Sequence, residues 1–214
     1  MKFVAVVITI VIIILVFAGG SPGASAAAIS LSVTVVGADS SDPRWRAAEE
    51  AVAFWNQQLA AAGIGIRLGP ITRLVQAVSN DALSRISTAL VGRYRFEPDV
   101  PEVLRRIPGD IVVALSTAEL ISFGLPWRPE RSGLVGLRRA DIPPLSLPNV
   151  PRNLVAHELG HVLGLKHNRD PATLMCGRPA PCRPSVFASE KDQFFPLTSL
   201  DIGTLQAQWR SIAW

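Results

Sequence analysis

His157-Glu158-Leu159-Gly160-His161-Val162-Leu163-Gly164-Leu165-Lys166-His167 contains every histidine of the 214-residue chain, and its spacing decides how the rest is read. On a helix, His157 and His161 stand four residues and about 6 Å apart along the axis, so both imidazoles leave one face and can reach one metal ion. Glu158 lies about 100° further round, where a carboxylate can overhang the ion without ligating it and serve as a base toward water there. Gly164 supplies the turn: a residue free to take positive φ ends the helix and brings His167 back to the ion from below. Three neutral nitrogens leave a fourth position open. At background composition the five fixed residues of this H-E-x-x-H-x-x-G-x-x-H pattern arise by chance in roughly one in 10⁵ chains of this length. Chance histidines on a solvated helix therefore account poorly for it.

Together with Asn168-Arg169-Asp170-Pro171-Ala172-Thr173-Leu174-Met175, the motif resembles the metzincin clan of zinc metallopeptidases, and within it the matrixins. The resemblance implies an α+β fold: a twisted mixed sheet with long helices, an active-site helix, and a small C-terminal subdomain after the third histidine. The upper subdomain would span about residues 27–164 and the lower about 165–214. It implies one catalytic Zn2+ on His157, His161 and His167, with Glu158 as general base. Met175, eight residues past His167 and the only methionine besides Met1, would be the family's methionine that floors the zinc ligands. The activity implied is that of an endopeptidase acting on an extended protein or peptide substrate. Two other readings stay open: a zinc hydrolase of a non-peptide amide, and a non-catalytic binding module stabilised by zinc. Glu158 speaks against the second, since structure alone needs no base.

Departures from the family pattern narrow the expectation. No cysteine precedes the zinc motif, so the cysteine-switch propeptide of animal matrixins is not expected, and no histidine remains for a structural zinc. Calcium is left open. The only tyrosine, Tyr94, lies far upstream of Met175, which argues against the astacin and serralysin subgroups, whose fifth ligand is a tyrosine just beyond the methionine.

At the N-terminus an apolar run from Phe3 to Ala18 follows Lys2 and leads to Ala24-Ser25-Ala26, a small-residue cleavage pattern. Residues 1–26 are read as a signal peptide or an N-terminal membrane anchor, and residues 27–214 as the domain. Either way the domain is expected outside the cytoplasm: secreted, or anchored through residues 3–18. Membrane association is expected only if that segment is retained. The formal net charge of +4 is the excess of 21 basic over 17 acidic residues, and only three of the basic residues are lysine. The arginines are scattered, with no aromatic-rich basic stretch, so nucleic-acid binding is not expected and a solvated charged surface is. A monomer is expected.

Outward from the motif, Ile29 to Val36 reads as a strand. Asp42 is the candidate N-cap of a helix carrying Ala48, Val52, Trp55, Leu59 and Ala62 at helical spacing up to Gly63. Ile64 to Leu68 reads as a second strand continuing past Gly69-Pro70 into Ile71–Val75, Asn80 to Val91 as a helix, and Val100 to Arg106 as a short one. Asp110 to Leu115 is a buried strand. Gly133-Leu134-Val135-Gly136-Leu137 falls where matrixins carry the edge strand over the cleft. The resemblance thus implies Gly133, Leu134, Val135 and Gly136 as the edge that pairs with substrate backbone. Pro143 to Pro151 reads as a loop, followed by Val155, Leu159, Val162 and Leu163 as the apolar back of the motif helix. Two cysteines in an exported chain more readily pair than stay free, so a Cys176–Cys182 disulfide is expected. The chain closes with an amphipathic helix from Thr198 to Ile212, started by Thr198 and Asp201. Asp201 matches a family aspartate that holds the methionine turn, while Leu200 stands where the family has another.

Overall fold

The computed structural model describes residues 28–91, 99–127, 132–141, 146–177 and 192–209. The leader expected at residues 1–26 lies outside them. Among the described residues no helix is long and apolar enough to cross a membrane.

Five strands form one sheet: β1 (Ile29–Gly37), β2 (Ile66–Val75), β3 (Ile111–Leu115), β4 (Phe123–Trp127) and β5 (Ser132–Leu137), in the spatial order β2-β1-β3-β5-β4. The first four in that order run parallel, and β4 is antiparallel to β5. The helices are α1 (Arg44–Ala61), α2 (Asn80–Val91), α3 (Glu102–Arg105), α4 (Asn149–Val162) and α5 (Ser199–Trp209). This is the expected twisted mixed sheet with long helices, built as three layers.

The layering follows from the strand period of two. In β3, every residue of which is buried, Ile111, Val113 and Leu115 join one core with Val33, Val35, Trp55, Leu59, Leu159 and Leu163. Val112 and Ala114 point the other way, into a second core with Leu83, Ile86 and Leu104. A strand covered on both faces has no polar positions, which is why Asp110 to Leu115 reads as a near-continuous apolar run. Helices α1 and α4 occupy the first face and α2 and α3 the second.

Sequence and structure part company at the sheet edge. β5 is not the edge strand: it lies between β3 and β4, and β4 is the rim. The glycines that flank the β5 apolar segment mark close approach, not exposure. A Cβ on Gly133 would fall inside 3.0 Å of Val162 of α4, and one on Gly136 would meet the ring of Phe123, its cross-strand partner. β4 itself, Phe-Gly-Leu-Pro-Trp, escapes sequence reading because glycine and proline both depress strand propensity. An edge tolerates proline, which has no N–H to donate.

Two arginines also depart from the expected solvated role. Arg44, 5% exposed, pairs with Asp42 and donates through Nη1 to the carbonyls of Ser116, Leu137 and Arg138, tying the start of α1 to the ends of β3 and β5. Arg152, 8% exposed, bridges Glu50 and Asp192. Beside it, Asn153 donates to the Gln193 carbonyl and accepts from the Phe195 amide, while Asn149 accepts from the Gln193 amide. These buried polar groups on α4 strap residues 192–195 across the helix.

Candidate metal centre

α4 begins at Asn149, one turn before the sequence suggests, with Pro151 in its first turn where a missing N–H costs nothing. Its back is buried as expected, with Val155, Leu159 and Leu163 at most 1% exposed. It ends in a Schellman turn: the Gly164 amide donates to the His161 carbonyl and the Leu165 amide to the Gly160 carbonyl, both at 2.9 Å. Gly164 has φ +99°, the left-handed conformation that requires glycine. From that turn the chain doubles back and delivers His167.

The three imidazoles converge. Their Nε2 atoms lie 3.1 Å (His157 to His167), 3.2 Å (His161 to His157) and 3.0 Å (His161 to His167) apart. The other ring nitrogens settle what these contacts are. His157 Nδ1 is 2.7 Å from the Leu174 carbonyl oxygen, and His161 Nδ1 is 2.8 Å from that of Leu165. A carbonyl can only accept, so both Nδ1 atoms carry hydrogen, and a neutral ring then presents a lone pair at Nε2. Two such lone pairs 3.2 Å apart repel each other unless a cation lies between them. A triangle of these sides has a circumradius of about 1.8 Å, shorter than the roughly 2.0–2.1 Å of a zinc–nitrogen bond. One ion can therefore bond all three nitrogens, and His157, His161 and His167 together form a group able to hold a metal. His157 is 1% exposed, His161 half-buried and His167 exposed, so the group opens to solvent on one side.

The carbonyls that aim the ligands come from two turns. Leu165 belongs to the Schellman turn, so Gly164 both redirects the chain and orients His161. Leu174 precedes Met175, and its own amide is fixed to the Pro196 carbonyl. Met175, fully buried, packs against α4 at Gly160: a Cβ there would meet its Sδ at 2.6 Å and Trp55 at 3.1 Å. It thus lies against the helix at the residue before His161. Asn168 secures the turn by donating its amide to the Met175 carbonyl, and its side chain reaches Asp201 at 3.3 Å. Asp201 also accepts from the amide and hydroxyl of Thr198 while the Asp201 amide donates back to Thr198, the capping box expected at the start of α5.

Glu158, 4% exposed, follows His157 on α4 beneath the rim strand. A Cβ on Gly124 of β4 would fall inside 3.0 Å of the Glu158 carbonyl and of His161 Cβ. The rim strand touches the ligand helix there because residue 124 has no side chain. Gly124→Ala is expected to push β4 outward and to destabilise the protein by about 1–3 kcal/mol, the usual cost of overpacking. Urea unfolding would measure this, and a stability equal to wild type would refute the contact. Of the other residues expected at a functional site, Gly133, Leu134, Val135 and Gly136 lie inside the sheet, away from its rim. Cys176 is buried beside Met175, and its expected partner Cys182 lies outside the described residues.

No protein-family model matches the chain, and no protein of curated function matches it. Solved structures do align with it. They include archaemetzincin from Methanopyrus kandleri, at 19% identity and a TM-score of 0.47 over 88% of this chain and 98% of that one. Metalloproteinase-II from Bacteroides fragilis aligns at 15% identity and a TM-score of 0.46, over 84% of this chain and 53% of that one.

Proposed function

We propose that the chain is an exported zinc-dependent endopeptidase of matrixin-like type. The observation that supports this most is the pair of imidazoles whose Nδ1 hydrogens are committed to carbonyls and whose Nε2 lone pairs meet with that of His167 at one point. Three imidazoles with an open side suit zinc in a catalytic role, where a structural site would be closed by a fourth protein ligand. Bound there, Zn2+ supplies a Lewis acid that polarises a carbonyl and lets water act as a nucleophile near neutral pH.

The chain's own residues do the rest. Glu158 takes the proton from the attacking water on its carboxylate and returns it to the departing amine nitrogen. Leu174 and Leu165 hold two ligand rings in the tautomer that leaves Nε2 free at the point where the three nitrogens meet, and such outer contacts would raise the basicity of the rings toward a metal. β4, whose outer edge carries no further strand among the described residues, offers backbone groups to an extended substrate, which would pair with it as an added strand. This role passes from β5 to β4 because β4 covers β5.

A Cys176–Cys182 disulfide would stiffen the chain just past Met175. Finding two free thiols in the exported protein by mass analysis under non-reducing conditions would refute the pairing. The function is tested by incubating the purified domain with a peptide library, with and without chelator. Cleavage that stops with chelator and returns with Zn2+ is expected. No cleavage of any peptide, with intact zinc binding, would move the reading to a non-peptide amide.

A further inference from the structure

We propose that Gly177 is a positioning residue for the third ligand, its backbone forming the wall against which the His167 ring is set. The inference rests on the zinc-centre reading. A Cβ built on Gly177 would lie within 2.5 Å of Cδ2, Cγ and Nδ1 of His167. A point that close to all three atoms lies over the face of the ring near Cγ, so the bare backbone of Gly177 stacks on the imidazole. The approach is not slack that a small shift could relieve. The Asn168 amide donates to the Met175 carbonyl at 2.9 Å, and the Gly177 amide donates to the Asn168 carbonyl at 3.3 Å. Residues 168 and 176 thereby form a parallel bridge, so the segment carrying Gly177 runs fastened alongside the residue that follows His167. Gly177 is buried although His167 is exposed. The ring is walled on its protein side and open on the other.

A methyl group at residue 177 cannot share this space. The ring must swing toward solvent or the strap must detach, and either carries Nε2 away from the point where the three nitrogens meet. His157 and His161 are unaffected, because their orientation comes from Leu174 and Leu165. The conformation of Gly177 adds nothing to the constraint, since its φ is not in the left-handed region. The requirement for glycine is one of space alone.

The test is zinc affinity in the full chain, measured by competition with a chromophoric chelator, together with the visible absorption of the Co2+-loaded protein. Gly177→Ala is expected to weaken Zn2+ binding at least tenfold and to shift the Co2+ bands. Gly203→Ala, at a position with nothing within 4 Å of the added Cβ, is expected to change neither. In a His167→Ala background Gly177→Ala should cause no further loss of stability in urea unfolding of the chelated protein, since the ring it displaces is gone. Wild-type affinity and spectrum in Gly177→Ala would overturn the inference, and so would a loss of stability in chelated His167→Ala as large as the one Gly177→Ala causes in the chelated wild-type chain. Should Gly177→Ala fail to fold, near-UV circular dichroism of Gly177→Ala/His167→Ala decides: recovery of the folded signal supports the clash, and continued failure refutes it. Absence of zinc binding by the wild-type chain would instead bring down the metal-centre reading and this inference with it.

Discussion

Glu158→Gln is expected to lower kcat by about 10²–10⁴-fold, the usual contribution of a positioned general base, with zinc content unchanged. The carboxamide has nearly the same shape but cannot accept a proton at neutral pH, and it is not a ligand. Its place on α4 makes the substitution a clean one. Glu158 is 4% exposed, and its backbone is clamped between β4 and the rest of the helix by the Gly124 contact. A change of one side-chain atom leaves that packing in place. Steady-state kinetics on the best library peptide, alongside metal analysis of the same sample, make the measurement. A variant with wild-type kcat would remove Glu158 from the mechanism. A variant that lost zinc would instead make it a ligand.

Removing the metal should lower the melting temperature by roughly 10 °C. A ligand at a thousand times its Kd stabilises by about 4 kcal/mol, and a domain of this size moves about 2–4 °C for each kcal/mol. The histidines should divide according to their surroundings. His167 is exposed, so His167→Ala should melt where chelated wild type melts and show no rise on adding Zn2+. His157 is 1% exposed and bonds the Leu174 carbonyl. His157→Ala should therefore melt lower still, because it leaves a cavity and an unpaired buried carbonyl worth about 1–3 kcal/mol. Differential scanning with and without chelator reads all three. A zinc-dependent rise in His167→Ala would exclude a three-histidine site. Equal melting of the two alanine variants would contradict the burial difference.

The centre is legible in local sequence alone. The four-residue step from His157 to His161 and the left-handed turn at Gly164 are local events, governed by helical pitch and by the φ that only glycine takes freely, so spacing alone predicted that three imidazoles would meet. The buried strand at Ile111–Leu115, the core face of α1 and the Thr198/Asp201 cap were legible for the same reason, each being written in a period or a cap within a few residues. What surrounds the centre depends on long-range packing. Gly124 and Gly177 carry no side chain and hence no pattern, yet β4 and the chain past Met175 can approach the ligands only at those positions. The carbonyls of Leu174 and Leu165 are backbone groups that every residue possesses, so nothing in the letters marks them as the acceptors that aim two of the rings. The rim of the sheet is not legible in the sequence because pairing between strands is non-local: residues 132–137 look like an edge until residues 123–127, disguised by a glycine and a proline, are laid beside them.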